Sequence, residues 1–391
     1  MTIRRHVICC DGTWQSRDSE HPTNVRKLAE MIAARDDHGI SQIVYYDDGV
    51  GTRKGGIATT AYNVAAAAFG WGLNDKIKGA YQRLSEAFNP GDEIYLVGFS
   101  RGAYTARSLG GLIRKCGLPA SARLTDEILE QAMDIYRKED ETPDTAEALR
   151  FRSAVAPHLV VNDKERAWRR EYTPETAPER AHPLKIKFLG VMDTVGALGI
   201  PEGGKLDFLK FWNRKYRFHN TTASSLYENI MHIVALNERR TTFPPTLFDN
   251  LDKLNHEAGF KSGDAAAPYQ EVWSPGNHGS VGGGGDIVGL SNAALLMMVE
   301  GMQRAGLAFE KASVAQAAVQ VDVMAPLDNS SKKGTFSSVA RLLVTHKDRE
   351  GPREPWNLGD PAVERWRRDK SFRTEPVLRH VSDYLYDRFD R

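Results

Sequence analysis

Three cysteines in 391 residues, Cys9, Cys10 and Cys116, are too few for a disulfide framework. The first two are neighbours on an apolar run that, as a strand, would turn them to opposite faces. Reduced thiols in a reducing compartment are the expected state. Nor does any stretch approach the roughly 18 apolar residues of a spanning helix. The N-terminal apolar run, residues 6–10, breaks at Asp11-Gly12, far short of a secretory core. A soluble, cytoplasmic protein is expected, and any export would use a route that needs no signal peptide. Neither sign of charge prevails: 52 Lys and Arg face 51 Asp and Glu, so no overall field exists to hold nucleic acid. No grouping of His, Cys and carboxylates has metal-ligand spacing, and no metal or other cofactor is expected. The glycine run 282–285 lacks the Lys-Ser/Thr ending of a phosphate-binding loop.

What the chain does have is a series of short apolar runs, each closed by a polar turn. Residues 6–10 precede Asp11-Gly12, 42–46 precede Asp47-Asp48-Gly49, and 92–97 precede Gly98. Runs of this kind read as strands buried on both faces, with intervals long enough for crossover helices of a parallel sheet. Helices are expected over 73–88, stopped by Asn89-Pro90-Gly91, and over 103–116, closed by Gly117. A fourth strand, 185–192, leads to Asp193, a fifth, 271–273, leads to Ser274-Pro275-Gly276, and a strong helix covers 291–305. The stretch 230–236 reads as helix-like. Residues 1–325 are thus expected to form one α/β-hydrolase domain with a mostly parallel sheet. A charged, helix-favouring insertion over about 120–183 is placed over the sheet as a cap. Residues 326–391 form an extension, with Trp356, Trp366, Phe372 and Tyr384 spaced along it.

The sharpest chemical signal is Gly98-Phe99-Ser100-Arg101-Gly102, directly between an apolar strand and a helix. A nucleophilic serine on so tight a turn needs small residues two positions either side, and the helix N-terminus behind it favours developing negative charge. Ser100 then needs an imidazole to take its proton and a carboxylate to orient that imidazole, in the chain order Ser, Asp or Glu, His. Asp193, at the end of an apolar run, and His278, in the glycine-rich loop 275–285, supply them. The rival base, His232, sits in the helix-like run and is read as packed or capping. For the oxyanion, one donor is the backbone N–H of Arg101, and the other comes from Gly12 or Thr13 in the loop after the first strand.

Beyond these residues, an ordered series of motifs resembles a bacterial and fungal α/β-hydrolase family that includes phospholipase effectors of type VI secretion systems. The series comprises Cys10-Asp11-Gly12-Thr13-Trp14, Thr23-Asn24-Val25, Val44-Tyr45-Tyr46 with Gly49-Val50-Gly51-Thr52, the run 98–107, Gly190 to Gly196, Ala235 to Arg240 with Phe243-Pro244, and Trp273 to Gly284. The resemblance puts Ser100, Asp193 and His278 at the family's triad positions and implies lipid or other carboxylic esters as substrates. Two positions depart from it. Asn237 stands where relatives often carry Asp, and Gly279-Ser280 where they carry Ser-Asp, which removes charge near the base.

The competing reading is a catalytically silent α/β-hydrolase scaffold or binding module. Aspartyl-phosphate chemistry is disfavoured, because Cys9 stands where that nucleophilic Asp would be. The small apolar stretch 61–72 is either an ordinary buried helix or the lining of an acyl site making transient contact with a membrane surface. Acyl chain length, protein partners and oligomeric state are not written in these residues.

Overall fold

A computed structural model of the chain describes residues 3–12, 19–48, 61–138, 142–196, 221–331 and 345–390. Among these, strands β1 (Arg4–Cys10), β2 (Ser41–Asp47), β3 (Glu93–Phe99), β6 (Phe188–Met192), β7 (Ile230–Ala235) and β8 (Tyr269–Ser274) form one six-stranded sheet. Two-residue strands β4 (Leu159–Val160) and β5 (His182–Pro183) pair separately. The large sheet runs in the order β2-β1-β3-β6-β7-β8, and every neighbouring pair is parallel. This is the α/β-hydrolase class of architecture expected from the sequence, a parallel sheet with helices on its faces.

Alternation along the strands divides the core. Ile8, Cys10, Ile94 and Leu96 face a layer built from α2 (Ala61–Ala87), α3 (Arg101–Cys116) and the helices that follow. Val7, Cys9, Tyr95 and Val97 face α1 (Asn24–Met31) and the helix Gly289–Arg304. Cys9 and Cys10 therefore point to opposite layers, as period-two geometry requires. All three thiols are buried, which pushes those of Cys10 and Cys116 up to about 12 and leaves them inert.

Two sequence expectations need correction. The run 230–236 is not helical: β7 is an entirely buried interior strand, and His232 lies on it. A short continuous apolar run has no periodicity to separate strand from helix, so pairing partners decide. The loop 275–285 is also partly ordered, because His278–Gly282 forms one helical turn, with the Asn277 side chain accepting from Ser280 N–H. Of the stretch 61–72, residues 61–70 open α2, but the side chains of 61–71 lie outside the described residues.

The sheet ends at β8, and the chain after residue 345 covers that edge. Leu358, Ala362, Trp366, Phe372, Val377, Leu378, Val381 and Leu385 make a third apolar cluster with Val234, Leu236 and Trp273. Trp366 and Phe372 are buried there, while Trp356 and Tyr384 stay exposed.

Between α3 and β5 lie the helices Asp126–Arg137, Ala146–Val155 and Asp163–Tyr172. They enclose a buried charge cluster in which Glu165 binds both Arg152, at 3.0 Å, and Arg169. Removing Glu165 would leave the buried Arg169 without its counter-charge and Arg152 with Asp144, at 4.0 Å, in its place. We therefore expect Glu165→Ala to lose about 3–5 kcal/mol of unfolding free energy in a urea titration. A loss below about 1 kcal/mol, the size seen for exposed pairs, would contradict this account.

Candidate functional site

Parallel strands deliver their C-terminal ends to one edge, and the sheet order reverses between β1 and β3, where α/β sheets open a crevice. The ladder extends one residue past three strand ends: Asp11 N–H donates to Asp47 O (3.1 Å), Ser100 N–H to Met192 O (3.0 Å) and Asp193 N–H to Ile233 O (2.7 Å). Phe99 pairs with Met192, so Ser100 and Asp193 leave neighbouring strands side by side.

Ser100 has φ 57° and ψ −120°, a conformation rarely adopted by residues with a side chain, and it immediately precedes α3. The positions two residues to either side of it must be glycine. A Cβ on Gly98 would collide with the backbone of Gly102 and Ala103, and one on Gly102 with the carbonyls of Cys10 and Asp11. Gly12 lies alongside, where an added Cβ would come within 3.6 Å of Ser100 Cβ. The Gly12 N–H is donated to Asp11 Oδ1 at 2.6 Å. Asp11 also accepts from Thr23 Oγ1 (2.6 Å) and the Tyr46 hydroxyl (2.5 Å), which fixes the start of that loop. Thr13 lies outside the described residues.

Asp193, with positive φ, is fully buried. Its Oδ2 is 2.6 Å from His278 Nδ1. Its Oδ1 accepts the Ala235 N–H at 3.0 Å. Arg349 grips the same carboxylate with both terminal nitrogens, Nη1 to Oδ1 at 2.6 Å and Nη2 to Oδ2 at 3.0 Å. Burial works against the charge, but the guanidinium and the His278 hydrogen bond outweigh it and hold Asp193 far below the usual carboxylate range.

The His278 ring lies against Phe99 (centroids 4.5 Å) and edge-on to Phe243 (4.9 Å). Its backbone N–H donates to Glu238 Oε2 at 3.1 Å. Burial opposes ionisation of Glu238, but Arg240, bound to both its oxygens, outweighs it and keeps the carboxyl below its ordinary range. Asn237 Oδ1 accepts the Gly276 N–H (2.9 Å) and Asn237 N–H donates to Gly276 O (2.9 Å), so the loop that carries the imidazole is tied to the end of β7. His232 makes no bond to Asp193: buried on β7, it bonds Glu271 at 3.1 Å through Nδ1, and its Nε2 lies 3.5 Å from the N–H of Thr194. Of the residues singled out in the sequence, Asp193 and His278 are thus in direct contact, and Ser100 adjoins them through Phe99.

Sequence reasoning gave no role to Glu238, Arg240, Phe243 and Arg349. The first three stand in the motif Asn237-Glu238-Arg239-Arg240 with Phe243-Pro244, a usable signal. Arg349 lies in the charged run His346-Lys347-Asp348-Arg349-Glu350, which distinguishes no member. Among the described residues no group of His, Cys and carboxylates is arranged to hold a metal, and no helix is long and apolar enough to cross a membrane.

A family model described as T6SS phospholipase effector Tle1-like, catalytic domain, matches residues 4–301. The uncharacterized protein YEL023C of Saccharomyces cerevisiae is 30% identical over 251 residues, covering 62% of this chain and 32% of its own length. Among solved structures, an uncharacterized protein from Pseudomonas aeruginosa aligns with TM-score 0.42 and 20% identity, over 82% of this chain and 49% of its own. The Tle1 effector bound to the VgrG spike of the type 6 secretion system aligns with TM-score 0.36 and 18% identity, over 72% of this chain and 51% of its own. The chain therefore spans about a third of the curated relative and about half of each of these solved proteins.

Because Asp193 is ionised in the fold to far lower pH than in an unfolded chain, it adds stability that is complete above its unfolded value near 4 and is lost as pH falls below it. The stability gap between wild type and Asp193→Asn, measured by urea unfolding from pH 7 to 3, should be constant above about pH 5 and shrink below about pH 4. A gap that widens on acidification would reverse the sign.

Proposed function

The chain belongs to the T6SS Tle1-like phospholipase effector catalytic-domain family, and from that membership we propose that it is a serine hydrolase cleaving carboxylic esters, lipid esters foremost, with Ser100 as nucleophile, His278 as base and Asp193 as its orienting acid. The observation that carries the reading is the buried 2.6 Å contact between His278 Nδ1 and Asp193 Oδ2 beside a strained, helix-capping serine. An ionised Asp193 keeps the proton on Nδ1 and leaves Nε2 free to accept.

In the proposed cycle Ser100 Oγ attacks the acyl carbon while its proton passes to Nε2. The carbonyl oxygen becomes an oxyanion and collapses, the ester C–O bond breaks, and the alcohol leaves with the proton from Nε2. Water then attacks the acyl-enzyme, again giving a proton to Nε2. The carboxylic acid departs and Ser100 regains its hydrogen. The N–H of Arg101, at the start of α3, is the first oxyanion donor. The bond from Gly12 N–H to Asp11 takes Gly12 out of the resting donor set. Of the two early-loop candidates, Thr13 is then our proposed second donor. Membership of this family also makes delivery without a signal peptide the proposed route; the charged helical insertion over 120–183 is the proposed cap.

Labelling with a fluorophosphonate should modify Ser100 in the wild type and not in Ser100→Ala. Ser100→Ala and His278→Ala should each lose on the order of 10³-fold or more in turnover, and the double variant should be little worse, because the residues act as one unit. His232→Ala should instead lower stability, because its partner Glu271 is left behind. An active, folded Ser100→Ala protein, or absence of labelling, would leave a silent scaffold as the better reading.

If the cap and the stretch 61–72 enclose an acyl chain, kcat/KM should rise with chain length by about 0.8 kcal/mol per methylene until the site is full. Rates on acetyl, butyryl and octanoyl esters and on phospholipid vesicles measure this. A steep preference for acetyl esters with no vesicle hydrolysis would replace the lipid reading with a small-ester esterase.

A further inference from the structure

Arg349 lies beyond residues 4–301, the part matched by the catalytic-domain model, yet it makes two of the closest contacts to Asp193. Its segment is sewn to the residues after β7. Thr241 N–H donates to Thr345 O (3.0 Å), Lys347 N–H to Arg239 O (2.7 Å), and Asp348 pairs with Arg239 at 2.8 Å. Gly351, with φ +82°, then packs so closely on Val377 that any Cβ would strike its carbonyl, which joins the strap to the cluster covering β8.

The guanidinium itself is buried and held at four points. Besides the two carboxylate oxygens, Nη1 donates to Ala235 O at 2.7 Å and Nη2 to Phe243 O at 2.8 Å. These carbonyls come from two places in the chain, so the cation is fixed before it meets Asp193. A planar fork on a carboxylate sets the plane of that carboxylate. With the Ala235 N–H and the His278 ring filling the remaining positions, Asp193 can present Oδ2 to Nδ1 in only one orientation.

We propose that Arg349 is a positioning residue for the Asp193–His278 pair, and that the strap 345–351 is therefore part of the catalytic unit. This rests on the triad reading above. Arg349 aims Oδ2 at Nδ1, and its fixed charge offsets that of Asp193 inside the fold. Other titratable groups around the pair are Glu238 with Arg240, and, behind Thr194, His232 with Glu271.

The test uses the full chain and a soluble butyryl ester, with kcat and KM followed from pH 5 to 9 and active sites counted by fluorophosphonate titration. Arg349→Gln should lower kcat on the order of 10²-fold per titrated site, the scale of a misplaced catalytic group, with KM little changed. Arg349→Lys keeps the charge but not the fork, so kcat should recover only in part. A Gln variant with wild-type kcat per site would overturn the proposal. Should the Gln variant not fold, a Lys variant with full wild-type kcat would overturn it equally, since the fork would then be dispensable. Ser100→Ala run alongside separates the two levels. If it stays active, the triad reading itself fails; if it is dead while Arg349→Gln behaves as wild type, only the role of Arg349 fails.

Discussion

A carboxylate with no contact with water, Asp193, is the constraint around which this end of the molecule is arranged. Bringing such a charge into the interior costs several kcal/mol unless the surroundings return it as hydrogen bonds and opposite charge. Four donors do so: the Ala235 N–H, two arms of Arg349 and the His278 ring. They come from three parts of the chain: the end of β7, the strap beyond residue 345 and the turn after β8. The charge can exist only when all of these segments have docked, so the site and the covered edge of the sheet form together.

Around that charge the backbone is held in conformations it would not choose alone. Positive φ at both Ser100 and Asp193 costs on the order of 1–3 kcal/mol each. Both residues stand one step past a paired strand end, where ladder bonds from neighbouring strands over-determine the turn. The glycines on either side of Ser100 serve the same end by contact, since α3 and the end of β1 approach too closely for any side chain. The site is thus mounted on strand ends and a helix start. Phe99 and Phe243 close against the His278 imidazole.

The residues beyond 345 also solve a problem of the sheet. As its last strand, β8 would present unpaired backbone groups and an apolar face to solvent. Gly359 N–H takes Trp273 O at 2.9 Å, and the Trp366 cluster covers the face. The covering segment and the strap that brings Arg349 to Asp193 are continuous in the chain, which couples stability at the edge to geometry at the site.

Much of this was legible in the residues themselves. A strand-turn-helix with glycine at positions 98 and 102 is a local steric statement, and acid and base candidates at 193 and 278 follow from strand ends and chain order. The parallel sheet follows from apolar runs at crossover spacing, because strands buried on both faces need no alternation. β7 escaped notice for the complementary reason: a buried run of six whose one polar residue is His232 has no period, and only its hydrogen bonds to β6 and β8 decide that it is a strand. Arg349 escaped because a cation's partner is set by three-dimensional approach, and five polar residues in a row look alike from sequence. The sequence by itself determined the class of sheet, the elbow and the residue types available for proton transfer. Tertiary structure alone decided which histidine meets a carboxylate, since His232 and His278 each find one, Glu271 and Asp193. It also brought a distant arginine to neutralise Asp193, because a buried charge is satisfied by whatever the packed fold carries into reach.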